Sequence, residues 1–325
     1  MKKALITGAN GQDASFLAEL LVSKGYEVYG TIRRNSVPES QTTRIQTLHN
    51  NSSIKLMYAD LLDEISINNT IEKTKPDEIY HLAAQSHVRI SFDLPNYTLQ
   101  TNVIGTSNII NAAKKYCPNS KIYNAASSEM FGNSCDGDGF QRETTRMIPV
   151  SPYGCSKLCA YNLCHNYRNS YNMFICSGIL FNHESHRRGI NFVTNKIVHD
   201  SVSISKNKKE KLYLGNLNAK RDWGHAKDYV YAMWLMLQNK EPKDYVVATG
   251  VCNTVQYVVD YVFEKLNLNK EKHLEISEKL YRPEELNYLR GDSSLIRKEL
   301  GWSNKYSLTT MLDEMIDYWC KKIEA

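Results

Sequence analysis

Six short apolar runs, each followed by an amphipathic stretch, restrict the fold of this chain more than any other feature. They are KALITG (3–8), EVYGTI (27–32), IKLMYAD (54–60), EIYHLAA (78–84), SKIYNAAS (120–127) and FICSGILFN (174–182). Each is apolar along its whole length, as a strand is when both of its faces are covered. Strands that alternate with helices in this way predict an α/β protein built on a doubly wound parallel sheet of the Rossmann kind. After about residue 182 the rhythm loosens into a basic loop, a helix over 226–238, one more apolar strand in DYVVATG (244–250), and helices near 254–266, 292–299 and 308–323. The expected organisation is a doubly wound domain over 1–182 and a smaller mixed α/β domain over 183–325, with the strand near 244–250 returning to the first sheet.

Composition narrows the function classes. The 325 residues are 42% hydrophobic and 23% charged, enough to build a real core. A net charge of +5 is small for this length and forms no basic stripe, which argues against a nucleic-acid partner. The densest basic run, Lys206 to Lys211, has no interleaved aromatic residue and reads as a solvated loop. The longest apolar run, Tyr229 to Leu237, is too short to cross a bilayer, and the N-terminus meets a glycine turn before a signal core could form. Eight scattered cysteines lack the paired spacing of a zinc site or a disulfide framework. A soluble protein of the reducing cytoplasm is expected.

In ALITGANGQDASFLAELL, Gly8 and Gly11 lie directly after the first strand and open a helix. The N–H groups at such a helix start can receive a pyrophosphate, although two glycines also serve a plain turn. No Gly-Lys-Ser/Thr ending follows, so a P-loop is excluded. The second strand ends in GTIRRNS, with Arg33 and Arg34 where a carboxylate would select NAD. Two guanidiniums suit a ribose 2′-phosphate and hence NADP; the alternative is a surface arginine pair. Asp60, followed by Leu61, could place a carboxylate on the adenine amino group.

Tyr153 and Lys157 are one helical turn apart and project from one face of the helix that starts near Pro152. An ammonium so placed would favour the phenolate, and together with a ribose hydroxyl would make Tyr153 a base toward neutral pH. With 21 tyrosines in the chain the spacing can arise by chance. Its meaning comes from its company: the glycine turn, and Ser127 at the end of the intervening strand.

These residues together resemble the extended short-chain dehydrogenase/reductases, and within them the GDP-mannose 4,6-dehydratases. The likeness covers nearly the whole chain and is most specific in GILFNHESHRRGINFVTNKI (178–197) and LGNLNAKRDWGHAKDYVYAMWLMLQ (214–238). It implies NADP contacts from Gly8, Gly11, Gln12, Asp13, Arg33, Arg34, Asp60, Leu61, Leu82, Ala83, Ala84, Ser86, Tyr97, Lys157, His183 and Arg188. It implies GDP-sugar contacts from Asn182, Lys196, Arg221, Arg282 and Glu285, so that 183–325 becomes the GDP-sugar domain. It also implies a homotetramer, joined through the helices that carry the Tyr-Lys pair and through the loop after Arg34.

Against that background Glu129, in NAASSEMFG (124–132), acquires a purpose. Oxidation of a sugar hydroxyl needs only Tyr153, Ser127 and the cofactor. Dehydration also needs a group to remove the C5 proton and help expel the C6 hydroxyl, and a carboxylate at 129 can do both. The competing reading of Glu129 is a cap on the following turn. His183, Glu184 and His186 lack the one-turn spacing of a metal-binding H-E-x-x-H, so no metal is expected. The chain departs from the family with Ser127 for the usual threonine, Ala126 for a small polar residue, His186 for a proline and Ala14 for a third glycine. The methyl missing at Ser127 could admit a GDP-manno-heptose as well as a hexose. The rival functions are an epimerase, reductase or C4 dehydrogenase of the same fold, and a non-catalytic NADP sensor.

Overall fold

The computed structural model describes residues 1–33, 54–281 and 283–324. Its centre is a seven-stranded sheet in the order β10-β6-β5-β4-β1-β2-β3, parallel at every pairing. The strands are β1 (Lys3–Thr7), β2 (Glu27–Ile32), β3 (Ile54–Tyr58), β4 (Glu78–His81), β5 (Lys121–Ser127), β6 (Ile175–Leu180) and β10 (Tyr245–Val247). Every residue of β4, β6 and β10 is buried, which is why these runs show no polar alternation. The six expected strands are all present, and the DYVVATG run contributes three residues to the sheet edge beside β6.

Helices cover both faces. On one side α1 (Gln12–Ser23) packs against a later helix, Ala226–Gln238, around Leu17, Leu21, Tyr229 and Met233. On the other, α2 (Glu64–Thr74), α3 (Gly105–Tyr116) and α4 (Pro152–Tyr171) enclose Ile67, Ile71, Ile109, Ile110 and Cys164. The strand order reverses between β1 and β4, and in such sheets the crevice at the carboxyl ends of those strands is where ligands bind.

At Phe181 the chain leaves the large sheet. It enters a three-stranded sheet, β11-β9-β7, made of β7 (Asn182–Glu184), β9 (Lys220–His225) and β11 (Cys252–Thr254). A parallel pair, β8 (Leu212–Leu214) and β12 (Leu274–Ile276), lies beyond it. Helices α5 (Val193–Ser205), α6 (Ala226–Gln238, named above), α7 (Val255–Lys265) and α8 (Leu308–Glu324) complete the scaffold, and Val198, Val202, Val259, Phe263, Leu312 and Met315 form a core between α5, α7 and α8. Buried Asp222 on β9 ties the layers together by accepting hydrogen bonds from Thr249 N (2.9 Å), Thr249 Oγ1 (2.6 Å) and Gly250 N (2.8 Å). Lys206 to Lys211 is an exposed loop whose Lys209 and Lys211 pair with Asp200 and Glu275. Among the described residues no helix is long and apolar enough to cross a membrane.

Candidate active site

The turn after β1 is built around Gly8, whose φ of +71° is a left-handed conformation that favours glycine. A Cβ there would also lie 3.0 Å from Ala83 Cα, so the residue lets the ends of β1 and β4 approach closely. Gly11 then caps α1 without a side-chain hydrogen bond, leaving the N–H groups of the first turn for an anion. This cradle fits a dinucleotide pyrophosphate. Arg33 emerges exposed at the end of β2 and donates a hydrogen bond to Tyr97 Oη. Asp60 Oδ1 accepts from Leu62 N (3.0 Å), and Leu61 is buried beside α3. Arg34 lies outside the described residues, as does Arg282.

Behind the turn runs a buried polar chain that the residue pattern did not reveal. Thr7 Oγ1 accepts from the N–H groups of Leu82 and Ala83, both at 3.0 Å, and lies 3.0 Å from His81 Nδ1. His81 Nε2 lies 3.1 Å from Thr106 Oγ1, which donates to Asn102 O (2.6 Å). These roles place the His81 proton on Nε2. Burial pulls its pKa down to about 3, with the Lys157 charge adding to the effect, so the ring stays neutral. Asn102 sits in a π-helical turn, Gln100–Ile104, and bonds Gln85 N (2.9 Å), Gln85 O (3.1 Å) and Ser156 Oγ (2.9 Å). It thereby joins the loop carrying Ala84 and Ser86 to α4. No local motif announces it, because its partners are 17 and 54 residues away.

Gln12 and Asp13 grip β7 and the start of the loop after it. Gln12 donates to His183 O (3.1 Å) and accepts from Ser185 Oγ (2.7 Å). His183 Nδ1 lies 2.7 Å from Phe181 O and Nε2 lies 2.7 Å from Asp13 Oδ2. Both partners only accept, so both ring nitrogens donate and the ring is an imidazolium. Burial works against that charge, but the Asp13 carboxylate more than offsets it and the His183 pKa is raised. The Asp13 pKa is correspondingly lowered against its own desolvation. With both ring N–H groups used inside the protein, a cofactor contact by His183 has to come from elsewhere on the residue.

The NAASSEMFG stretch ends β5 at Ser127 and continues into one 3-10 turn, Ser128–Met130. Glu129 is therefore two residues beyond the strand, and Ser127 Oγ accepts from Glu129 N (3.2 Å). The serine side chain caps the turn. Nearby, SPYGCSK starts α4 for local reasons. Ser151 caps it by accepting from Gly154 N (3.0 Å), Pro152 occupies the first turn, and Gly154 has no side chain because a Cβ would lie 2.7 Å from Glu129 O. This close approach sets Tyr153 beside Glu129.

Lys157 Nζ donates to Ala125 O (2.9 Å) and stands 5.9 Å from the centre of the Tyr153 ring. Burial pushes the Tyr153 pKa up to about 12; hydrogen bonding to Ser127 draws it down and the Glu129 charge pushes it up again. Burial likewise pulls Lys157 down to about 8. Burial is thus the largest influence on Tyr153 within the protein, and the reading of it as a base near neutrality rests on the ammonium together with a ribose hydroxyl.

A cavity of about 360 Å³ brings these groups together. Its wall contains Ser127, Glu129, Tyr153 and Lys157, with Asp13, Leu82, Ala84, Ser86, His183 and Arg188 of the expected cofactor set and Asn182 and Lys196 of the expected sugar-nucleotide set. Gly8, Gly11 and Gln12 belong to the adjoining turn and helix start, against which Ala83 packs from the end of β4. Arg221 and Glu285 are not in that wall: Arg221 is buried on β9 with Nη1 donating to Lys220 O (2.9 Å), and the Glu285 carbonyl accepts from Asn133 (3.2 Å). Among the described residues no three His, Cys, Asp or Glu side chains converge as metal ligands. Glu184 faces Arg188, and His186 faces Glu314 at 3.2 Å.

Residues 5–315 match the family model described as GDP-mannose 4,6 dehydratase. GDP-mannose 4,6 dehydratase 2 of Arabidopsis thaliana is 46% identical over 326 residues, covering 97% of this chain and 86% of that protein. The GDP-mannose 4,6 dehydratase of Homo sapiens is 44% identical over 338 residues, covering 96% of this chain and 90% of that protein. Among solved structures, dTDP-glucose 4,6-dehydratase of Bacillus anthracis in complex with NAD superposes with a TM-score of 0.85 at 22% identity, covering 100% of this chain and 98% of that one. At that identity the likeness shows the fold alone, whereas the sequence matches run through the cavity wall. The chain belongs to the GDP-mannose 4,6-dehydratase family.

Proposed function

We propose that the protein is a hydro-lyase that converts a GDP-manno-configured sugar to the GDP-4-keto-6-deoxy sugar. The observation that carries this reading is a buried carboxylate, Glu129, in one cavity with Tyr153, Ser127 and Lys157. When bound, a nicotinamide dinucleotide takes up a hydride from C4 and returns it to C6. Tyr153 receives the C4 hydroxyl proton while Ser127 hydrogen-bonds that hydroxyl. The resulting ketone acidifies the C5 proton, which Glu129 removes and passes to the departing C6 hydroxyl, so one water leaves; as the hydride returns to C6, C5 takes up a proton that balances the one Tyr153 received, and the cycle is redox-neutral. Residues 1–182 and β10 would hold the cofactor, and 183–325 the GDP-sugar. The test is to incubate the protein with GDP-mannose, and in parallel with GDP-manno-heptose, and weigh the products. Loss of one water without net cofactor consumption is expected. An unchanged mass would favour an epimerase, and no reaction at all would favour a sensor. The heptose arm decides whether the smaller Ser127 admits an extra carbon.

Arg33 at the end of β2 supports NADP over NAD. Arg33→Ala is expected to weaken NADP by about tenfold or more, the worth of a charge-assisted contact, and to leave NAD nearly unchanged. Equal weakening of both in a fluorescence titration would remove this assignment. Leu94, Leu99 and Ile104 are exposed apolar residues on the segment that packs beside α4, which supports association through these helices into a homotetramer. A monomer by light scattering at all concentrations would count against it. Eight free thiols support a reducing cytoplasm as the compartment.

A further inference from the structure

The cavity wall holds a second buried carboxylate for which the dehydration chemistry above has no use. Glu184, at the end of β7, is 2% exposed. Its Oε2 has no hydrogen-bond partner, and the nearest cation, Arg188 Nε, is 3.5 Å away and equally unpartnered. Arg188 is also engaged elsewhere: its guanidinium lies over the Phe192 ring at 3.7 Å, and its backbone carbonyl is held by Asn195 at 2.6 Å. Asn182, two residues earlier on the same face of the strand, also carries a buried Oδ1 without a partner. His183, between them, is turned to Asp13 and Tyr229. Two orphaned acceptors on one face of a strand, both in the cavity wall, are costly in a folded protein unless something else supplies their donors.

We propose that Glu184 is a further ligand-binding residue, whose carboxylate accepts a hydrogen bond from a donor at the reacting end of a bound molecule. That donor is a hydroxyl of the sugar or the carboxamide N–H of the nicotinamide, the groups that must lie nearest Tyr153 and Glu129. This inference rests on the function proposed above. It adds to the GDP-sugar and NADP contacts expected from the family an acceptor that reads a neutral donor, not a phosphate.

The sign of the effect makes the proposal testable. Both ligands are polyanions, so removal of a negative charge from the wall should by itself tighten their binding. Weakening therefore reports a lost acceptor. Glu184→Met and Glu184→Gln would be made in a Tyr153→Phe background, so that the sugar is bound and not consumed, and titrated calorimetrically. GDP-mannose is compared with GDP, and NADP with 2′-phospho-ADP-ribose, which lacks the nicotinamide. Glu184→Met is expected to weaken one whole ligand by about tenfold or more, while its truncated counterpart binds no more weakly than before; Glu184→Gln, which keeps one acceptor oxygen, should recover part of the loss. A loss confined to GDP-mannose assigns the donor to the sugar, and one confined to NADP assigns it to the carboxamide. Unchanged affinity for both whole ligands overturns the proposal. So does equal weakening of whole and truncated ligands, which would reduce the carboxylate to a support for the wall. If the parent protein binds neither whole ligand, the proposed function fails and takes this inference with it.

Discussion

Glu129→Gln is expected to oxidise its substrate and then stop. The amide keeps the size of the side chain, and the turn that carries it is capped by Ser127 and cleared by Gly154, so the local fold should survive. What disappears is the ability to take a proton. Addition of GDP-mannose should produce a nicotinamide absorbance near that of the reduced cofactor, because Tyr153 and Ser127 are untouched. Dehydrated product should fall by about 10²- to 10⁴-fold, the usual worth of a positioned general base. In deuterated water the variant should also fail to exchange the C5 proton. Normal dehydration by Glu129→Gln would mean that the carboxylate takes no part in elimination, and the chain would lose the feature that separates it from an epimerase.

Tyr153→Phe is expected to fail one step earlier. Without the phenol there is no acceptor for the C4 hydroxyl proton, so no reduced-cofactor absorbance should appear even transiently in a stopped-flow trace, and turnover should drop by about 10²- to 10⁴-fold. The pH dependence carries a further sign. Within the protein burial holds the Tyr153 pKa up, at about 12, so the neutral phenol dominates at pH 7 and the fraction of phenolate grows as pH rises. Binding of positive charge can bring that pKa down but leaves the direction unchanged: activity of the intact protein should climb from acid toward alkaline pH. The rise should be absent from whatever residual activity Tyr153→Phe retains. A residual rate that climbs in parallel with the wild type would show that another group takes the proton.

The fold was largely legible because its signals are local. A strand covered on both faces must be apolar throughout, and six such runs with helices between them permit little besides a parallel sheet. The turn at Gly8 and Gly11, the one-turn spacing of Tyr153 and Lys157, and the Ser-Pro-x-Gly start of α4 are equally local, since backbone conformation and side-chain direction are set within a few residues. Tertiary structure decided what depends on neighbours far away in the chain. Asp13 and His183 are 170 residues apart, and only the fold that brings them to 2.7 Å raises the histidine's pKa against its own burial. His81 shows the opposite outcome: enclosed between two threonine hydroxyls and without a carboxylate, it stays neutral. The spacing of Tyr153 and Lys157 puts a cation near a phenol, but only the packing raises one pKa and lowers the other, because desolvation is a property of everything packed around a group. Glu184 looked like part of a failed metal motif until the sheets placed it in the cavity wall. Residue identity and spacing determine which chemistry the chain carries; packing determines which of those groups are charged, which are already engaged within the protein, and which face the cavity.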